Sequence, residues 1–157
     1  MKPKVYIETS VISYLTARPS RDIIIAGHQQ ITQEWWQTRC ESFDIAASQL
    51  VIREVSAGDQ EAAQQRLKVL ETIELLEITE SALTLARELV LSIPLPQKAA
   101  EDALHIAIAV TNGADYLLTW NCKHLANAAI RNMIEYVCRS KGYEPTIICT
   151  PEELMEV

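Results

Sequence analysis

Apolar and polar positions follow two rhythms along this chain. Short β-rich runs occur at Val5-Tyr6-Ile7, Phe43-Asp44-Ile45-Ala46-Ala47, Ile73 to Ile78, Tyr116 to Trp120 and Thr146 to Cys149. Between them lie longer stretches whose apolar residues recur at helical spacing. Strands that alternate with helices predict an α/β chain with a mostly parallel sheet covered by helices.

Local signals set the boundaries. Thr9 or Ser10 is expected to cap a first helix through Ile12, Tyr14 and Leu15. A longer helix is expected over Asp22 to Cys40, with one member of the Trp35-Trp36 pair in the core and the other exposed at a protein interface. Ser48 should cap a short helix, Gln49 to Ser56, that stops at Gly58. Asp59 opens a helix to about Leu70, and Thr79 or Ser81 opens one to Leu91. Ile93-Pro94-Leu95-Pro96 reads as a stiff loop, because each proline fixes its own φ and biases the residue before it to extended geometry. Further helices are expected at about Lys98 to Thr111, stopped by Asn112-Gly113, and at about Ala126 to Lys141. Thr150 followed by Pro151 reads as an N-cap with proline at the first helical position.

A length of 157 residues predicts one domain over 1–157, with no repeat, low-complexity tract or long linker. No apolar run approaches the roughly 18 residues of a membrane span, and the N-terminus lacks the pattern of a signal peptide. These observations predict a cytosolic protein with no membrane partner. Cys40, Cys122, Cys138 and Cys149 show neither CxxC spacing nor a matched histidine pair, so they are read as small apolar fillers rather than zinc ligands or disulfides. A net charge of −7 argues against high-affinity, non-specific DNA binding. It does not exclude a nuclease, because carboxylates gathered to hold a cation contribute to the same sum. Four glycines form no phosphate-binding loop, and Glu8-Thr9-Ser10 is not the Asp-x-Asp of an aspartyl phosphatase.

The stretch Ala99 to Val110 is apolar on nearly every helical face and belongs in a core. A carboxylate there is costly unless it is paired or holds a cation. Asp102 is either a first-turn acid favoured by the helix dipole or an acid that reaches a cleft at the sheet edge. Three other residues bear on that choice. Glu8 ends the first strand, Glu54 follows the second on a short helix, and Asn121 follows the strand ending at Trp120. Ligands of open parallel sheets collect at the C-terminal ends of the strands, so one topology can bring all four together. Hard oxygen ligands suit Mg²⁺ or Mn²⁺, which can activate water and neutralise phosphoryl charge. His105, three residues from Asp102, is read as a partly buried partner of a neighbouring polar group rather than a ligand. His28 and His124 are read as surface residues. Asp115 and Glu101 are read as surface or capping residues, the latter turned by about 100° from Asp102 on the helix.

Four segments in this order resemble the PIN-domain ribonucleases, particularly the VapC-type toxins of toxin–antitoxin pairs. They are Tyr6-Ile7-Glu8-Thr9-Ser10-Val11-Ile12, Leu50-Val51-Ile52-Arg53-Glu54-Val55, Glu101-Asp102-Ala103-Leu104-His105-Ile106-Ala107 and Ala114 to Asn121. The resemblance covers almost the whole chain. It implies a three-layer α/β/α sandwich and a Mg²⁺- or Mn²⁺-dependent endoribonuclease. Glu8, Glu54, Asp102 and Asn121 would form the catalytic and metal-binding set, with Ser10 and Thr119 contacting the site or a substrate phosphate. It also implies a small protein antitoxin and a homodimer. Two positions depart from the family pattern: Glu8 stands where an Asp is usual, and Asn121 supplies an oxygen without a charge. These departures support a competing expectation, a catalytically weak or inactive PIN-like protein that works as a binding or regulatory module.

Overall fold

The structure is a computed structural model and describes residues 1–93 and 99–155. Five strands form one all-parallel sheet: β1 (Lys4–Ile7), β2 (Asp44–Ser48), β3 (Glu74–Leu76), β4 (Tyr116–Leu118) and β5 (Ile147–Cys149). Their order is β3-β2-β1-β4-β5. The register sets Tyr6 opposite Ala46 on one side and Leu117 on the other. Helices α1 (Thr9–Thr16) and α2 (Ile23–Arg39) link β1 to β2, and α3 (Gln49–Val55) and α4 (Gln60–Leu70) link β2 to β3. From β3 the chain returns across the sheet through α5 (Glu80–Ser92) and α6 (Ala100–Thr111) to β4, and α7 (Ala128–Ser140) leads to β5.

Handedness then determines the layers. Crossovers between parallel strands are right-handed, so the two steps taken outward from β1 toward β3 place α1–α4 on one face. The steps in the reverse direction place α5–α7 on the other. The packing agrees: α1 lies against α2, α3 and α4, while α5 lies against α6 and α7. The result is the expected three-layer α/β/α sandwich of PIN-like form. The strand order reverses between β1 and β4, and the C-terminal ends of strands at such a reversal are where open parallel sheets collect ligands.

The helix starts follow their caps. Asp22 accepts from the backbone N–H groups of Ile24 and Ile25, Asp59 from Ala62, Thr79 from Ala82 and Asn127 from Ala129. The expected cap of α1 differs: Glu8 itself is the N-cap, with extended backbone and a side chain that accepts from the Ser10 N–H. The strands are shorter than their apolar runs suggested. β4 ends at Leu118: Thr119 N–H still reaches the Cys149 carbonyl of β5, but Trp120 N–H turns away from the sheet to Ser10 Oγ. Asn112-Gly113 does stop α6, and Gly113 takes a positive φ of 71° that the glycine tolerates without strain. Thr150-Pro151 opens a 3-10 turn, Pro151–Leu154, rather than an α-helix. The proline loop at 94–96 and the start of the following helix at Lys98 lie outside the described residues.

The core runs along both sheet faces and includes Tyr6, Ile7, Ile12, Leu50, Leu89, Ile106, Ile108 and Leu117. Trp35 is fully buried against Phe43, and Trp36 packs beside it rather than standing free. Of the cysteines, Cys138 and Cys149 are the buried fillers expected, whereas Cys122 is exposed and Cys40 half-buried.

Candidate active site

At the β1/β4 junction Glu8 is bonded to Ser10 and Thr119, and its carboxylate lies beside that of Glu54. Glu8 leaves β1 there, its N–H tied to the Leu118 carbonyl of β4. Its carboxylate turns back toward its own chain. One oxygen accepts from Ser10 Oγ at 2.5 Å and Thr119 Oγ1 at 2.6 Å, and the other from Ser10 N–H at 3.1 Å. Only 6% of Glu8 is exposed. Ser10 Oγ also accepts from Trp120 N–H at 2.8 Å, and Thr119 Oγ1 accepts from Asn121 N–H at 2.9 Å. The two hydroxyls thus join the start of α1 to the end of β4 through Glu8.

Glu54 enters from α3, which Ser48 caps at the end of β2. Its Oε1 accepts from Thr9 Oγ1 at 2.5 Å and lies 2.6 Å from His105 Nε2. Burial pushes the pKa of this carboxyl up, but the hydrogen bonds from His105 and Thr9 outweigh burial and hold it at about 2. Glu54 is therefore ionised throughout the physiological range. His105 is fully buried, with Nδ1 2.7 Å from the Tyr6 hydroxyl. Glu101 also reaches this group: its carboxyl is pushed up, first by a hydrogen bond with Glu54, while Arg53 pairs with it at 3.3 Å. Glu101 is exposed, as its rotation from Asp102 indicated, and from the surface it faces Arg53 of α3 and Glu54.

Asp102, in the first turn of α6, is half-buried and bonded to His124 Nδ1 at 3.1 Å. Burial, then the charge of Glu8, pushes its carboxyl up. His124 belongs to the turn after β4, where Asn121 Oδ1 accepts the His124 N–H at 3.1 Å. One lone pair of the Asn121 oxygen is thereby used in the turn. His124 is not the free surface residue expected, and neither is His28, which stacks on Trp120 with ring centroids 4.1 Å apart. Asp115 lies at the far end of β4 and accepts from Lys4 N–H, as its position in the strand indicated.

The ligand atoms of Glu8, Glu54 and His105 all lie within 4.8 Å of one another. The donor set fits a divalent cation. The buried carboxylate of Glu8 meets the half-buried one of Glu54, the latter held ionised, and a third at Asp102 carries the electrostatic cost of its nearness to Glu8. A cation relieves that repulsion. Sequence reasoning singled out Glu8, Glu54 and Asp102 but missed the parts played by Thr9, Glu101 and His124. For His124 the signal was its place three residues after Asn121; for Thr9, its hydroxyl beside Glu8. Both needed the fold to be read.

No sequence-family model matches the chain, and no curated protein sequence matches it. Among solved structures it is similar to a chain of VapBC2 from Rickettsia felis, crystallised bound to a DNA fragment from their promoter. The likeness spans 94% of this chain and 98% of that chain at 16% identity, with a TM-score of 0.61. At that identity the likeness establishes a shared PIN-like fold and leaves the chemistry to the residues themselves.

Proposed function

We propose that the chain is a divalent-metal-dependent endoribonuclease, the toxin of a toxin–antitoxin pair. One observation carries this reading: Glu8 and Glu54 come from distant parts of the sequence to within 4.8 Å at the strand-order reversal of a PIN-like sheet. Glu8, Glu54 and Asp102 would hold Mg²⁺ or Mn²⁺. When bound, the cation supplies charge neutralisation and water activation for hydrolysis of an RNA phosphodiester. Ser10 and Thr119 orient Glu8, and Thr9 and His105 hold Glu54 as a carboxylate. Asn121 acts through the turn it caps, setting His124 against Asp102. Ser10 and Thr119 also stand at a helix start and a strand end, where a substrate phosphate would meet backbone N–H groups.

A small protein antitoxin fits this reading, with a basic side chain on the carboxylates as its expected contact. A homodimer belongs to the same proposal. Among the described residues no helix is long and apolar enough to cross a membrane.

One feature favours the second reading, a non-catalytic binding module. Glu8 already receives three hydrogen bonds, which would satisfy its oxygens without a metal. Cleavage assays separate the two. Single-stranded and structured RNA incubated with Mn²⁺ should be cut, and Asp102→Asn and Glu54→Gln should each lower the rate by about 100-fold or more. Equal activity in wild type and both variants would assign the cleavage elsewhere and sink the nuclease reading. No cleavage in wild type under any divalent ion would favour the binding module.

A further inference from the structure

His105 is fully buried, and both its ring nitrogens are within hydrogen-bonding distance of a partner. Those partners continue into a run of buried polar atoms. Val51 N–H lies 3.4 Å from Ser48 Oγ, Ser48 Oγ lies 2.8 Å from the Tyr6 hydroxyl, and that hydroxyl lies 2.7 Å from His105 Nδ1. His105 Nε2 then meets Glu54 Oε1 at 2.6 Å. Tyr6, Ser48 and His105 are each 0% exposed, so no bulk water can substitute for a missing partner.

Donor and acceptor counting sets the direction of every bond. A backbone N–H can only donate, so Ser48 Oγ accepts from Val51. The Ser48 hydrogen then has Tyr6 as its other described partner and must be donated there. Burial pushes the Tyr6 phenol up, so it keeps its proton, and that proton points to Nδ1. With Nδ1 accepting, the imidazole hydrogen sits on Nε2, where Glu54 Oε1 at 2.6 Å accepts it. The opposite tautomer would turn the Tyr6 hydrogen back onto Ser48 and leave a buried hydroxyl hydrogen without an acceptor, an arrangement native interiors avoid. The chain begins at the N-terminal turn of α3 and returns to the same helix three residues later, at Glu54.

We propose that His105 is a positioning residue: with Ser48 and Tyr6 it forms a one-way hydrogen-bond chain that presents Nε2–H to Glu54 and aims that carboxylate beside Glu8. The nitrogen lone pair that faces away from Glu54 is taken by Tyr6, so His105 is not itself a metal ligand, although it stands among the candidate ligand atoms. The role deepens the metal-dependent reading above and rests on it for its consequence. The placement of the ring proton can be tested without metal or substrate.

The test uses the full chain labelled with ¹⁵N. Nuclear magnetic resonance of the metal-free protein should show His105 protonated at Nε2 and bare at Nδ1. Tyr6→Phe, a mild change that keeps the ring, should leave the hydrogen on Nε2 against Glu54 and move the Nδ1 resonance toward that of a nitrogen with no hydrogen-bond donor. Saturation with Mg²⁺ should leave the Nε2–H signal in place. By calorimetry, His105→Leu should weaken Mn²⁺ binding by about 10–100-fold, the usual cost of losing a group that orients a ligand. His105→Gln, whose amide can still donate to Glu54, should recover most of that loss. Melting curves identify any variant that fails to fold, and Tyr6→Phe then carries the test. A proton found on Nδ1, disappearance of Nε2–H on adding Mg²⁺, or unchanged Mn²⁺ affinity in a folded His105→Leu would each overturn the assignment. If wild type shows the predicted ring spectrum yet binds no Mn²⁺, the proton chain stands and the metal-dependent reading falls.

Discussion

Glu54 and Asp102 occupy the same site, yet their surroundings push their acidities in opposite directions. Glu54 is held at about 2 against an ordinary 4.5, because hydrogen bonds to its ionised form outweigh burial. Asp102 lacks enough such partners, and burial and Glu8 push it upward from an ordinary 3.8. The stability consequences have opposite signs. The depressed Glu54 contributes stability that is full above about 4.5 and is lost as pH falls toward about 2. The raised Asp102 favours the folded state below 3.8, and that contribution is lost as pH rises through its folded value, leaving a cost near neutrality. We therefore expect Asp102→Asn to raise the Tm of metal-free protein at pH 7, since Asn retains an oxygen for His124. Glu54→Gln should lower it, and the gap from wild type should narrow as pH falls below 4.5. Scanning calorimetry between pH 3 and 7 reads both signs; a lower Tm for Asp102→Asn would show that the ion pair with His124 outweighs burial. At this scale the sequence exposed the acids, since carboxylates beside strand ends and in an apolar helix are conspicuous. The partners of those acids could not be read, because each hydrogen bond joins residues far apart in the chain, such as Thr119 to Glu8.

Among the elements, α6 is the one that most constrains the site. Ala103, Ala107 and Ala109 are fully buried, and α5 packs against this helix, which carries both Asp102 and His105. Ala107→Leu would insert a branched side chain where no space exists and should destabilise by about 1–3 kcal/mol in urea unfolding. An unchanged midpoint would mean that α5 and α6 have room to part. The periodicity of α6 was legible because almost every position is apolar, and the short α3 was legible from Ser48 and Gly58. The end of β4 was not. Tyr116 to Trp120 reads as one buried strand, and only the amide of Trp120, turned to Ser10 Oγ, shows where pairing stops. Apolar patterning records burial, and Trp120 is buried beyond the strand by stacking on His28 and donating to Thr32.

Taken whole, the molecule is a sheet whose strand order reverses once, with the carboxylates gathered at the reversal. A cation that binds only the folded site stabilises by mass action. At a concentration about 100 times its Kd the gain is about 2.7 kcal/mol. For a chain of this size that corresponds to a rise in Tm of roughly 5–11 °C. Mn²⁺ should produce it, a chelator should reverse it, and Glu54→Gln should abolish it in a thermal-shift experiment; no shift in wild type would remove the cation from the account. The alternation of strand and helix is written in the sequence itself, because burial imposes a period of about 2 or 3.6 on apolar residues. So too are the capping residues and the acids that cannot be buried alone. Tertiary structure alone decided that Glu8 would cap its own helix, that Glu101 would turn to Glu54, and that two histidines would lie against carboxylates. Local patterning fixes which face of an element is buried, whereas the crossover path fixes which distant polar groups share that burial and must bond to each other.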